Sequence, residues 1–136
     1  MKIERQELGL GVYQAWLFDG QVILHGVTGY SRETTDHFIA SMKVILEGWE
    51  QQKPYYAIVD LTEAAFTIYA QAKMRLFFQA MPRHLDGLVV PVLPDTIVGQ
   101  LLRVFAQRFA PRQLPQHFTN QLEDALRLFE ERLTRI

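Results

Sequence analysis

The sequence predicts an α/β domain: a mixed sheet of about five strands, opened by a β-hairpin and interleaved with about four helices. Three observations carry this prediction. Two runs rich in aromatic and branched residues, Val12 to Phe18 and Gln21 to Val27, are joined by Asp19-Gly20. Two nearly all-apolar runs, Tyr55 to Leu61 and Leu88 to Leu93, have strand length. Around them, large apolar residues recur at helical spacing.

Asp-Gly between two β-rich runs is a strong short-range hairpin signal, because both residues tolerate the positive φ that a tight turn needs. Beyond Thr28-Gly29-Tyr30, Ser31 can cap a helix whose first turn holds Glu33 and Asp36, where carboxylates suit the positive helix end. Phe38, Met42, Ile45 and Trp49 place one apolar face on that helix, which should end before Lys53-Pro54. The run YYAIVDL that follows reads as a strand buried on both faces in a parallel arrangement.

A less regular stretch, Thr62 to Tyr69, leads to a second helix around Ala70 to Met81, closed by Pro82, with Met74, Phe77, Phe78 and Met81 on its apolar side. Leu88 to Leu93 is the next strand. Pro91 removes one ladder donor and points to an edge position or a bulge. Asp95 or Thr96 can cap a third helix carrying Ile97, Leu101, Phe105 and Phe109. A short extended piece, Gln116 to Phe118, precedes a fourth helix with Leu122, Leu126, Phe129 and Leu133 on one face. Thr119 or Asn120 can cap it, and Asn120 with Glu123 has the form of a capping box.

The length of 136 residues suits one domain, spanning 1–136, and no Pro/Gly/Ser-rich linker divides it. A hydrophobic fraction of 49% with 21% charged residues is ordinary globular composition. No apolar run approaches the length of a membrane span, and no membrane insertion is expected. A net charge of -1 offers no field to attract nucleic acid, and none is expected as partner. The absence of cysteine removes disulfides, thiolate metal sites and a cysteine nucleophile. The mixed polar start, Met1 to Leu10, does not read as a secretory signal, which leaves the cytoplasm as the expected location.

In the second half, GLVVPVLPDTIVGQLLRVF has a strand-to-helix passage with a helix glycine, Gly99, and HFTNQLEDALRLFEERL has a Phe-Thr pair before an acidic first turn. These segments resemble the SpoIIAA-like fold family, which contains STAS domains, and the element order resembles it from Val12 to Leu133. The resemblance implies a bacterial, cytosolic module without catalytic activity. Asp60-Leu61 matches the family's strand end, but the following TEAAFTIYAQAK lacks the Asp-Ser-Ser-Gly signature of its phosphorylated serine. Thr62, Thr67 and Tyr69 are the hydroxyls nearby, and none clearly fills that role. What the resemblance retains is a contact surface formed by the loop and helix after Asp60.

Candidate chemistry is sparse. Neither a Gly-rich phosphate loop nor a nucleophile elbow nor a His-Glu-x-x-His pair occurs, and no cofactor or metal is expected. His25 lies in a strand, while His37 and His84 fall at positions that are normally wet. His117 is the histidine able to approach the sheet's end. Asp60, a carboxylate closing a buried strand, must be hydrated, paired or hydrogen-bonded. It can shape a turn through the Thr62 or Glu63 amide, or, with His117, form a general acid-base pair. Ligands of open α/β sheets bind at the carboxyl ends of strands, which favours the Asp60 to Thr67 and Leu93 to Thr96 loops.

Phe66, Tyr69, Met74, Phe77, Phe78 and Met81 exceed what one helix face can bury. About half should enter the core, and the rest should line a pocket or an interface, with Arg75 and Arg83 as its polar rim. Thr96 and Arg103, at the start and along the third helix, are candidates for binding an anion, opposed by Asp95. The cluster Arg103, Arg108 and Arg112 is otherwise a solvated face.

The leading expectation is an interaction or regulatory module that forms a homodimer, or binds a protein partner, through Asp60 to Met81. Asp60, Thr62, Phe66, Thr67, Tyr69, Arg75 and Phe78 would be its contact residues. The alternative is a carrier for a small apolar ligand or lipid. An enzyme using Asp60 and a histidine has the least support.

Overall fold

The computed structural model describes residues 1–64 and 66–135. Ala65, inside the segment expected to make contacts, and Ile136, the last residue of the expected domain, lie outside the described residues. The fold is α/β, with a mixed five-stranded sheet whose strands are neighbours in sequence order. They are β1 (Gln6–Gly9), β2 (Val12–Leu17), β3 (Val22–Gly29), β4 (Tyr55–Ala64) and β5 (Gly87–Val92). The helices are α1 (Arg32–Glu47), α2 (Ile68–Ala80), α3 (Ile97–Phe109) and α4 (Leu122–Thr134). β1, β2 and β3 pair antiparallel, while β3, β4 and β5 pair parallel.

The hairpin forms where Asp19-Gly20 predicts it. Both residues adopt positive φ, 55° and 80°, and Leu17 pairs with Val22 across the turn. β1 is a strand that the sequence reading did not contain. Its residues are mostly exposed and polar, so no apolar alternation marks it.

The expected fifth strand at Gln116 to Phe118 is reduced to two isolated bridges, Val89 with Gln116 and Val92 with Thr119. Pro91 explains the reduction. The amides of Val89 and Leu93 donate outward to Pro115 and Thr119, while His117 and Thr119 donate back to Val89 and Pro91. Pro91 has no N–H for the rung between, so the ladder is broken where the sequence placed an edge or a bulge.

The sheet carries helices on both faces. Side chains alternate along a strand, so Ile23, Val27 and Ala57 turn toward α1 and α2, where Phe38, Ile39, Met42 and Phe77 complete one core. Val22, Leu24, Ile58, Val90 and Val92 turn the other way and meet Ala125 and Phe129 of α4. Burial on both sides accounts for the unbroken stretch of buried residues from Val22 to Val27 in β3.

Side-chain caps form at the starts of α1 and α2 and are missing at those of α3 and α4. Ser31 caps α1 by accepting from the Thr34 amide at 3.0 Å, and Gly48 ends it. Trp49, expected on that helix, therefore lies beyond it and stacks on Trp16. Thr67 caps α2 through the Ala70 amide, so α2 begins at Ile68, ahead of the expected Ala70, and ends at Ala80. Thr96 precedes α3 without a side-chain capping bond. The expected capping box of α4 does not form: Gln121 is the N-cap, and the Asn120 amide donates to the Leu93 carbonyl at 3.1 Å. Fastening the side chain to the end of β5 commits its Nδ2, and its Oδ1, the atom that capping requires, caps no helix amide.

Candidate functional site

The carboxyl ends of β3 and β4 carry two constructions, one on each face of the sheet. On the α4 face, Tyr13, Gly26 and Asp60 stand opposite one another in register on β2, β3 and β4. The Tyr13 hydroxyl donates to Oδ2 of Asp60 at 2.7 Å. Its ring lies over Gly26, where a Cβ would sit 1.9 Å from Cζ of Tyr13, so only glycine leaves room for the crossing.

Between Gly26–Asp60 and Thr28–Glu63 the pairing of β3 with β4 gains one residue on β4, a bulge that withdraws groups from the ladder. The Thr62 amide bonds instead to Oδ1 of Asp60 at 3.1 Å, and the Thr62 hydroxyl adds a second bond at 2.7 Å. Asp60 is thus 8% exposed and bonded through both oxygens, which offsets the cost of burying it. Burial and the neighbouring carboxylate push the Tyr13 phenol well above its usual range. The Arg5 guanidinium covers the outside of the same ring, 4.1 Å from its centroid.

On the opposite face is an apolar cavity of about 100 Å³, partly open to solvent. Val27, Val59 and Leu61 form its floor; Phe38 and Ile39 of α1, Phe66, Met74 and Phe78 from the α2 segment, and Leu102 and Phe105 of α3 form its walls. Tyr30, Thr35 and Gln71 are its polar residues. Phe105 holds the walls together, with its ring 5.6 Å from Phe66, 6.3 Å from Phe78 and 4.9 Å from Phe109. α3 reaches this place because Gly99 passes against Pro94, where a Cβ would lie 1.8 Å from the carbonyl oxygen.

The expected contact residues therefore separate. Phe66 and Phe78 reach the cavity, whereas Asp60 and Thr62 serve the Tyr13 cluster on the other face. Thr67 is the α2 cap. Tyr69 ties α2 to α1 by donating to Asp36 at 2.6 Å, and that bond raises the affinity of its phenol for its proton. Arg75 lies over the Phe109 ring at 4.4 Å. Phe77 enters the core, and Met74, Phe78 and Met81 pack against it.

Thr96 and Arg103 do come together, in a separate recess of about 180 Å³ at the start of α3 that Asp95 also lines. The Arg103 guanidinium stands 5.2 Å from the centroid of Phe118. Thr119 and Asn120 also line this recess, where their side chains donate to the Gln121 and Leu93 carbonyls. His117 belongs to the edge segment beyond β5, donates its amide to Val89, and is not a hydrogen-bond partner of Asp60.

Two participants escaped sequence reasoning. Tyr13 reads as an ordinary strand aromatic, and its signal was Gly26, an isolated glycine in a buried strand and a mark of close approach. Phe105 reads as one residue of a helical stripe. His25 is fully buried on the α1 and α2 face beside Ile23 and Val27, and neither ring nitrogen has a hydrogen-bond partner. Burial pushes its pKa down to about 4.

No helix among the described residues is long and apolar enough to cross a membrane. Comparison with protein-family models, with curated proteins and with solved structures finds no match for this chain.

Proposed function

We propose that the domain is a non-catalytic binding module whose cavity between the sheet and α1, α2 and α3 takes a small apolar ligand. The observation that carries this reading is the cavity itself, walled by aromatic and aliphatic groups from the sheet and three helices. Cavities lined mainly by aliphatic and aromatic side chains accept apolar guests. At about 100 Å³ it is smaller than a drug-sized pocket, which suits a single ring or a short alkyl chain. Gln71, Thr35 and Tyr30 offer polar contacts to such a guest.

The test is an amide NMR titration with benzene and with 1-hexanol, alongside native mass spectrometry of the purified protein. Shifts centred on Val27, Met74, Phe78 and Phe105 that vanish in Ala106→Leu support the reading. No shift with either probe and no bound mass would overturn it.

A second reading, the STAS-like interaction module that self-associates through Asp60 to Met81, draws on the outer side of α2. There Ile68 is 85% and Leu76 60% exposed. Light scattering across a concentration series tests it: a dimer weakened by Leu76→Glu supports this reading, and a monomer throughout argues against it.

A further inference from the structure

The outer faces of α2 and α3 are unusual for the combination they present. On α3, Ile97, Leu101 and Val104 recur at four and seven residues, and they are 68%, 46% and 62% exposed. Leu76 adds a further exposed aliphatic group on α2. Gly99 is the one fully buried residue of α3, so this helix contributes little to the core for its apolar content.

Within the two helices the charges have one sign, with Asp95 standing two residues before Ile97. Neither helix contains an aspartate or glutamate; α2 carries Lys73 and Arg75, and α3 carries Arg103 and Arg108, in a chain whose net charge is -1. Among the described residues the one ion pair is Arg127 with Asp124, on α4, so none of these four cations is neutralised by a carboxylate. Each is placed over an aromatic ring instead: Lys73 over Tyr69, Arg75 and Arg108 over Phe109, and Arg103 over Phe118.

We propose that this face docks on an anionic lipid surface, with Leu76, Ile97, Leu101 and Val104 entering the headgroup boundary and the cations contacting lipid phosphates and carboxylates. Separate aliphatic chains within a basic surround are what interfacial helices present. A protein partner would need a pocket for its anchoring side chain, and these four residues line neither the cavity nor the α3 recess. A symmetric dimer through this face would set the four cations against their own copies. The proposal is independent of the cavity's occupant and competes with self-association for the outer face.

Vesicle co-sedimentation of the full chain tests it. Vesicles of phosphatidylcholine with about 30% phosphatidylserine should bind the protein at least about tenfold better than phosphatidylcholine alone, with the difference falling as salt rises. Arg103→Glu with Arg108→Glu should cost at least about tenfold. Leu101→Gln, which keeps the cations, should weaken binding too, while Arg127→Glu should leave it unchanged; circular dichroism checks that each variant is folded. Equal binding to both vesicles, or unaltered binding by the double reversal, would overturn the proposal. So would a dimer broken by Leu101→Gln, which would assign the face to a second copy.

Discussion

The Tyr13 hydroxyl reaches Asp60 at 2.7 Å by crossing Gly26, the residue that stands between them in register on β3. Three strands are thereby fastened at one level on the α4 face, just where the bulge in β4 loosens the ladder. The row explains a glycine, a tyrosine and a buried carboxylate together.

Gly26→Ala should destabilise the protein by about 2 kcal/mol, because the added methyl occupies the Tyr13 ring position and forces ring or strand to move. Urea unfolding measures it. Combining it with Tyr13→Val should recover part of the loss, and full additivity of the two changes would contradict the crossing.

Tyr13→Phe removes one bond to a buried carboxylate that keeps its two bonds from Thr62. A loss of roughly 2 kcal/mol is expected. In a double-mutant cycle with Asp60→Asn the two residues should couple, and independent effects would show that the bond contributes nothing.

His25 makes stability pH-dependent. In the unfolded chain its imidazole takes up a proton near pH 6.5, but in the folded protein only near pH 4. The unfolded state therefore binds more protons between these values, and stability falls as pH drops from 6.5 toward 4, by on the order of 3 kcal/mol. His25→Met should flatten the dependence in that window, as read from denaturant midpoints at several pH values. An unchanged slope would place its origin elsewhere.

Pro91→Val supplies the missing donor opposite the His117 carbonyl. A new amide at position 91 protected from hydrogen exchange is expected, with stability unchanged or raised by up to about 1 kcal/mol. Rapid exchange at that amide would mean that the edge segment cannot close on β5.

The fold class was legible because its signals are local. Asp19-Gly20 specifies a turn that only positive φ can make, Ser31 offers the oxygen that α1 needs, and β3, β4 and β5 are apolar because both their faces are covered. β1 was invisible for the converse reason: an exposed edge strand buries too little to impose a pattern on its residues. At Asn120, a capping box legible in the sequence lost to a carbonyl brought near by the end of β5.

The candidate site was legible only in part. Composition and spacing were enough to show that Phe66, Met74 and Phe78 belong to an apolar surplus and that Asp60 needs bonding partners. The tertiary structure alone decided where each went. Whether a side chain faces α2 or α4 depends on strand register and on the bulge after Asp60, and a shift of one residue moves a group to the other face of the sheet. For that reason Asp60 and Ala64, four positions apart in β4 and separated by the bulge, ended on opposite faces, one locked to Tyr13 and the other lining the cavity.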